Sequence, residues 1–153
     1  MQKFWLLKSE PHDYSIDDLK KDGKTEWTGV RNYQARNYLR DQFNVGDQVL
    51  FYHSNTDPSV VGRAEVCSPP YPDFSAFDPV DSHFDAHSTP AQPTWFLIDI
   101  CFKEKFKTPL SLTLLKSLPE LEGMVLTRKG SRLSVQPVSQ EHFQFICALA
   151  AKS

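Results

Sequence analysis

Two arginines, two asparagines, a glutamine, a tyrosine and a tryptophan lie within the eleven residues from Trp27 to Asn37, which read Trp-Thr-Gly-Val-Arg-Asn-Tyr-Gln-Ala-Arg-Asn. The stretch is too polar for a core and too aromatic for an ordinary solvated surface. Amides offer a donor and an acceptor together, arginine offers a charged fork, and the rings offer faces for stacking. Such side chains suit a planar, hydrogen-bonding ligand, and nucleobases and phosphates are the natural candidates.

Each residue has a functional and a structural reading. Trp27 either stacks on a base, an interaction worth roughly 1–3 kcal/mol, or plugs one end of the core. Asn32, Gln34 and Asn37 can read a base edge, whereas Asn32 can also cap a helix and Gln34 can be plain surface. Arg31 is expected to meet a phosphate or a base, with an internal carboxylate such as Glu10 as the alternative; for Arg36 the internal salt bridge is favoured. Lys8-Ser9-Glu10 closes a strand, where Ser9 can hydrogen-bond a base and Glu10 can accept from an amino group, or all three can form a turn network. Strand alternation sets Tyr52 and Ser54 on one face and His53 on the other, and His53 reads as a structural histidine. Arg132 and Ser134 share a face after a basic turn, suited to phosphate, unless Arg132 closes the fold with an ion pair. His83-Phe84-Asp85-Ala86-His87 has metal-like spacing in an extended segment, but it lies in a proline-rich loop with no evident supporting residues, so no metal and no cofactor is expected. No phosphate-binding glycine loop, zinc-protease motif or nucleophile elbow occurs.

The bulk composition narrows the partner. A net charge of −2 over 153 residues excludes a protein that holds nucleic acid chiefly by a basic surface. Positive charge is local: Arg31, Arg36 and Arg40 form one group, Arg128, Lys129 and Arg132 another, and a cleft between them would be positive on a mildly acidic body. Cys67, Cys101 and Cys147 are odd in number and far apart in apolar stretches, which reads as three buried thiols in a reducing compartment. The N-terminus has no signal-peptide pattern and no window approaches the ~20 apolar residues of a membrane span. The expectation is an intracellular protein, cytoplasmic in a bacterium or nuclear in a eukaryote, with one domain over residues 1–153.

Positioning these residues requires short alternating elements. Phe4 to Leu7 reads as a buried strand, Ser15 caps a helix that stops at Gly23, and Asn32 caps a second helix from Tyr33 to about Gln42. Gln48 to His53 and Val60 to Cys67 pattern as an antiparallel strand pair. Residues 68–93 hold six of the eleven prolines and no sustained period; the aromatics there favour a packed wrap over disorder. Thr94 to Phe106 is the strongest strand and reads as central. Ser111 to Lys116 suits a short helix, Met124 to Leu126 either a strand or a helical turn, and Ser139 caps a last helix with Phe143, Ile146, Cys147 and Ala150 on one face. Short strands interleaved with short helices suggest an α+β, barrel-like mixed sheet with helices at its rim.

Several segments together resemble the EVE-domain family: Lys8-Ser9-Glu10-Pro11, the Trp27–Asn37 block, Val45-Gly46-Asp47, Phe51-Tyr52-His53-Ser54-Asn55, Val61-Gly62 and Gly130 to Val138, in matching order from about residue 3 to residue 146. The resemblance implies a PUA-like pseudo-β-barrel of short strands with flanking helices, related to YTH and ASCH domains. It also implies a non-catalytic module that binds DNA or RNA and recognises a modified base, such as a methylated or oxidised one, in a pocket at the barrel mouth. Residue chemistry and resemblance together nominate Lys8, Ser9, Glu10, Trp27, Arg31, Asn32, Tyr33, Tyr52, Ser54, Arg132 and Ser134 as base- or ligand-binding. Two other classes stay open. One is a small-molecule, nucleotide or protein-binding module; the other is a nucleobase-directed enzyme with Glu10, His53 or Asp99 as general base.

Overall fold

Strand alternation decides the layout from the first element onward. In β1 (Phe4–Ser9) Trp5 and Leu7 point to one face and Leu6 to the other, and all three are buried. A strand buried on both faces must lie inside a sheet. The computed structural model, which describes residues 2–152, places β1 between β3 (Gln48–His53), to which it runs parallel, and β8 (Val135–Val138), antiparallel to it. The sheet continues from β3 through β4 (Ser59–Val66) and β7 (Asp99–Ser111) to β2 (Lys24–Glu26), giving the order β2-β7-β4-β3-β1-β8. Register slips in the β3–β4 and β4–β7 ladders sharpen the twist locally, and the sheet is a curled half-barrel of PUA-like form.

Helices cover both faces. Helix α1 (Ile16–Asp22), capped by Ser15 in a reciprocal box with Asp18, and α2 (Tyr33–Asp41), capped by Asn32, lie over the face that carries Trp5, Leu7, Val49 and Phe51. Helices α3 (Leu112–Ser117) and α4 (Gln140–Ala151) cover the other face, where Leu6, Leu50, Leu115, Phe143 and Ile146 pack. Buried Asp47 locks the first core: its carboxylate accepts from the Trp5 indole at 2.9 Å and from the amides of Lys3 and Asn44. No helix among the described residues is long and apolar enough to cross a membrane.

Several expectations are refined. The strand expected over Thr94 to Phe106 is two strands, β6 (Phe96–Leu97) and β7, because Phe96–Leu97 pairs with β5 (Tyr71–Pro72) in a small second sheet. Met124 to Leu126 is a helical turn, with a 3-10 helix at Val125–Thr127. The proline-rich stretch is the packed wrap, pinned by β5, a 3-10 helix at Phe74–Phe77 and buried Asp73, Ser75 and Ser88. The cysteines correct the sequence reading. Cys67 follows β4 and Cys101 lies on the adjacent β7, and the two are paired as a disulfide with Cα atoms 6.1 Å apart, leaving Cys147 as the free thiol. Sequence separation had hidden a pairing that the β4–β7 register creates.

Candidate nucleic-acid interface

Strand ends converge at one rim of the half-barrel. The end of β1 and the turn after it bring Lys8, Ser9, Glu10, Asp13 and Tyr14; β2 and the segment after it bring Thr25 to Arg31; the chain entering β8 brings Ser134; the wrap contributes Ser82 and His83. Together they line an open cavity of about 590 Å³, within the range of small-ligand sites. Of the sequence-nominated residues, Lys8, Ser9, Glu10, Trp27, Arg31 and Ser134 share this cavity.

Trp27 serves both of its readings. Its ring is 8% exposed and packs edge-on against Phe51 and Tyr14, with ring centroids 5.6 and 6.5 Å away, yet it lines the cavity. The indole is therefore a fixed aromatic wall, rooted in the core and held at its backbone by a bond from Trp27 N–H to the Ile98 carbonyl. Beyond it, Gly29 has φ +86°, and a β-carbon there would stand 2.7 Å from the His83 imidazole. Only glycine lets the wrap close down at that point.

Arg31 is held more tightly than its sequence suggests. Its guanidinium meets the fully buried Asp73 carboxylate at 2.9 Å, donates to the His83 carbonyl and to Ser75 Oγ, and lies over the Trp95 ring. Burial alone would raise the Asp73 pKa; hydrogen bonds from Ser75, the Gly29 amide and Arg31 outweigh it and hold the carboxyl below its ordinary value. The internal carboxylate foreseen for Arg31 is thus Asp73, not Glu10. Arg36 has no carboxylate partner among the described residues; it donates to the Thr94 carbonyl at 2.6 Å and lies over Tyr33 and Trp95, so it is architectural without the expected salt bridge.

Charge in the cavity is asymmetric. With Arg31 neutralised by Asp73, Lys8 faces Glu10, Asp13 and Glu26. Lys8 sits over the Tyr52 ring at 5.6 Å, and burial depresses its pKa. Ser9 Oγ donates to the Tyr14 carbonyl at 2.8 Å. Glu10, His12 and Asp13 gather on the rim with potential ligand atoms within 4.8 Å of one another, but His12 and Asp13 are exposed, and His12 lies within ion-pair distance of both carboxylates. His83, Asp85 and His87 do not converge: His83 meets Asp81, and Asp85 accepts from the Trp95 indole and the His87 amide.

The remaining nominated residues lie elsewhere. Asn32 caps α2, accepting from the Ala35 amide at 3.0 Å, and with Arg132 lines a second, neighbouring cavity. Tyr33 is 61% exposed and stacks on Trp95 at 5.0 Å. Tyr52 is buried in the second core beneath Lys8, and Ser54 lies outside both cavities, its amide bonded to the Ser9 carbonyl. His53 Nε2 accepts from the Ile16 amide at 3.1 Å, and burial lowers its pKa. Sequence reasoning missed Asp13, Tyr14, Glu26, His83 and above all Asp73. Asp73 lies 42 residues from its arginine, and no local pattern joins them.

Known proteins share this fold. The EVE domain profile matches residues 3–149. Human thymocyte nuclear protein 1 is 37% identical, aligned over 99% of this chain and 76% of its own length. A crystal structure of human THYN1 protein in complex with 5-methylcytosine containing DNA superposes with a TM-score of 0.92 at 37% identity, covering 99% of each chain. A hypothetical protein from Leishmania major superposes with a TM-score of 0.94 at 46% identity, covering 99% of this chain and 96% of that one. The profile match, the near full-length identity and the common half-barrel lead to one conclusion: this chain belongs to the EVE-domain family.

Proposed function

We propose that the chain is a non-catalytic reader of nucleic acid that takes one flipped-out, modified base into the cavity walled by Trp27. The observation that carries the proposal is the gathering of an aromatic wall, edge-reading polar groups and carboxylates around one space large enough to admit a base. The solved complex of the human relative with 5-methylcytosine containing DNA makes DNA the favoured strand and a methylated cytosine the favoured base. Extrusion costs a few kcal/mol, which stacking and edge hydrogen bonds must offset. A methyl group buried against apolar surface adds about 1 kcal/mol, so selectivity for the modification is modest. Glu10, Asp13 and Glu26 favour a base that presents an exocyclic amino donor.

The non-catalytic reading has its own support. The Ser9 hydroxyl donates to a backbone carbonyl, and the His53 acceptor nitrogen is taken by the Ile16 amide. Asp99 is engaged by Tyr71 and Lys24 away from the cavity. The candidate bases other than Glu10 are thus committed to the fold. A reader of DNA belongs in the nucleus of a eukaryote or the cytoplasm of a bacterium.

Fluorescence anisotropy with DNA oligonucleotides carrying cytosine, 5-methylcytosine or thymine at one position tests the reading. Glu10→Gln is expected to weaken binding of the methylcytosine strand by about 10- to 150-fold, the range of one charge-assisted hydrogen bond, and to narrow its margin over thymine. Equal affinity of the wild-type protein for all three strands would sink the proposal.

A further inference from the structure

A second cavity, of about 380 Å³, lies against the first and has the opposite charge. It is lined by Asn32 and Gln34 from the start of α2 and by the loop from Arg128 to Leu133. Three cations line it, Arg128, Lys129 and Arg132, and no carboxylate does. All three are exposed. Arg128 spends one contact on the Gly123 carbonyl at 3.3 Å, whereas the side chains of Lys129 and Arg132 have no ion pair or hydrogen bond among the described residues; the paired arginines are Arg31, Arg40 and Arg63. The positive end of the α2 dipole points the same way.

The two cavities share a wall. Arg31 and Ser134 line the first, and their chain neighbours Asn32 and Leu133 line the second, so one Cα step, about 3.8 Å, separates them at two points. One space is acidic and aromatic, the other basic and without aromatic rings. That division matches the two halves of a nucleotide. We infer that the Arg128–Arg132 cavity is a phosphodiester site that seizes the strand beside the extruded base, with Lys129 and Arg132 as the charge contacts and Ser131, Asn32 and Gln34 as neutral donors. The site rests on the base-reading proposal for its strand, but its contribution is independent of sequence and of modification.

The double variant Lys129→Gln/Arg132→Gln, titrated with the same cytosine and 5-methylcytosine oligonucleotides at about 50 and about 200 mM salt, tests it. Losing two phosphate contacts lowers the slope of log K against log salt by about 1.8, so the affinity lost between those salt concentrations should shrink by about 12-fold. Both oligonucleotides should weaken by the same factor at low salt, with the preference between them unchanged. An unchanged slope, or a loss confined to the methylated strand, would overturn the phosphodiester site and leave the base pocket standing. A wild-type protein that prefers neither strand, yet whose salt slope still falls in the variant, would overturn the base reading and leave the phosphodiester site standing. Absence of binding to any oligonucleotide overturns both. Titration with inorganic pyrophosphate separates a strand site from a site for free phosphate: tight saturation at residues 128–132 by pyrophosphate alone would overturn the assignment to a strand.

Discussion

Asp73 is the residue on which the cavity wall depends. Its carboxylate joins the wrap to the Trp27–Arg31 segment through Gly29 and Arg31 while wholly buried. Replacing it with alanine leaves the Arg31 guanidinium without its counter-ion, a change that costs about 3–5 kcal/mol when one partner of a buried pair is removed. Chemical denaturation of Asp73→Ala should show a loss of that size, and a loss below about 1 kcal/mol would mean that solvent already screens the pair. His53 predicts a pH dependence. Its folded-state pKa lies below the ordinary 6.5 because burial outweighs the opposing pull of the Asp17 carboxylate, with Lys105 acting in the same direction as burial. The unfolded chain therefore binds the proton first as pH falls, and the stability that neutral His53 contributes, full above about 6.5, is lost as pH drops towards the folded value. Between about pH 7 and about pH 5 the wild type should lose more thermal stability than His53→Gln; identical losses would assign the acid sensitivity to other groups. Residue types alone made Arg31 and Trp27 legible as site residues. They did not show that Arg31 is half consumed by the fold, because its partner lies in a loop without periodicity.

At the scale of elements, caps and alternation were readable and long-range pairing was not. Ser15, Asn32, Ser111 and Ser139 each accept from a first-turn amide of the helix they precede; Ser15, Asn32 and Ser139 were visible as caps, whereas Ser111 read as the first residue of its helix. The three-residue β2 was missed because Lys24-Thr25-Glu26 carries no strand signal; it exists by pairing with β7, a register that only the folded sheet supplies. The wrap was legible as packed but not as a cavity wall, since His83 reaches the site only where Gly29 lacks a side chain. Gly29→Ala joins two penalties, a positive φ that L residues rarely adopt and a β-carbon 2.7 Å from the His83 ring, well inside contact distance. It should destabilise the protein by more than about 1 kcal/mol, and the paired change Gly29→Ala/His83→Ala should recover the steric part but not the backbone part. Full recovery in the double variant would show that the positive φ carries no strain. No recovery would place the wrap elsewhere.

The whole molecule is mildly acidic, with a net charge of −2, and on the proposed function it would meet a polyanion with a small basic face. Long-range attraction is therefore weak, and affinity must come from the two adjoining cavities. Counterion release fixes what this implies. If the phosphate contacts are limited to the cations free to make them, Lys8, Arg128, Lys129 and Arg132, the salt slope on duplex DNA is about −3.6 at most, because each contact contributes about 0.9. Affinity should then fall by no more than about 150-fold between about 50 and about 200 mM salt, against the thousandfold or greater losses of proteins that hold DNA by six or more phosphates. Anisotropy titrations at four or more salt concentrations measure this slope directly. A slope steeper than about −5 would require cations far from both cavities, such as Lys103, Lys105 and Lys107 on β7, and would move the strand across a face where neither cavity opens. A slope between about −2 and about −4 fits a protein that places one base in an acidic aromatic space and grips its backbone in the basic space next door.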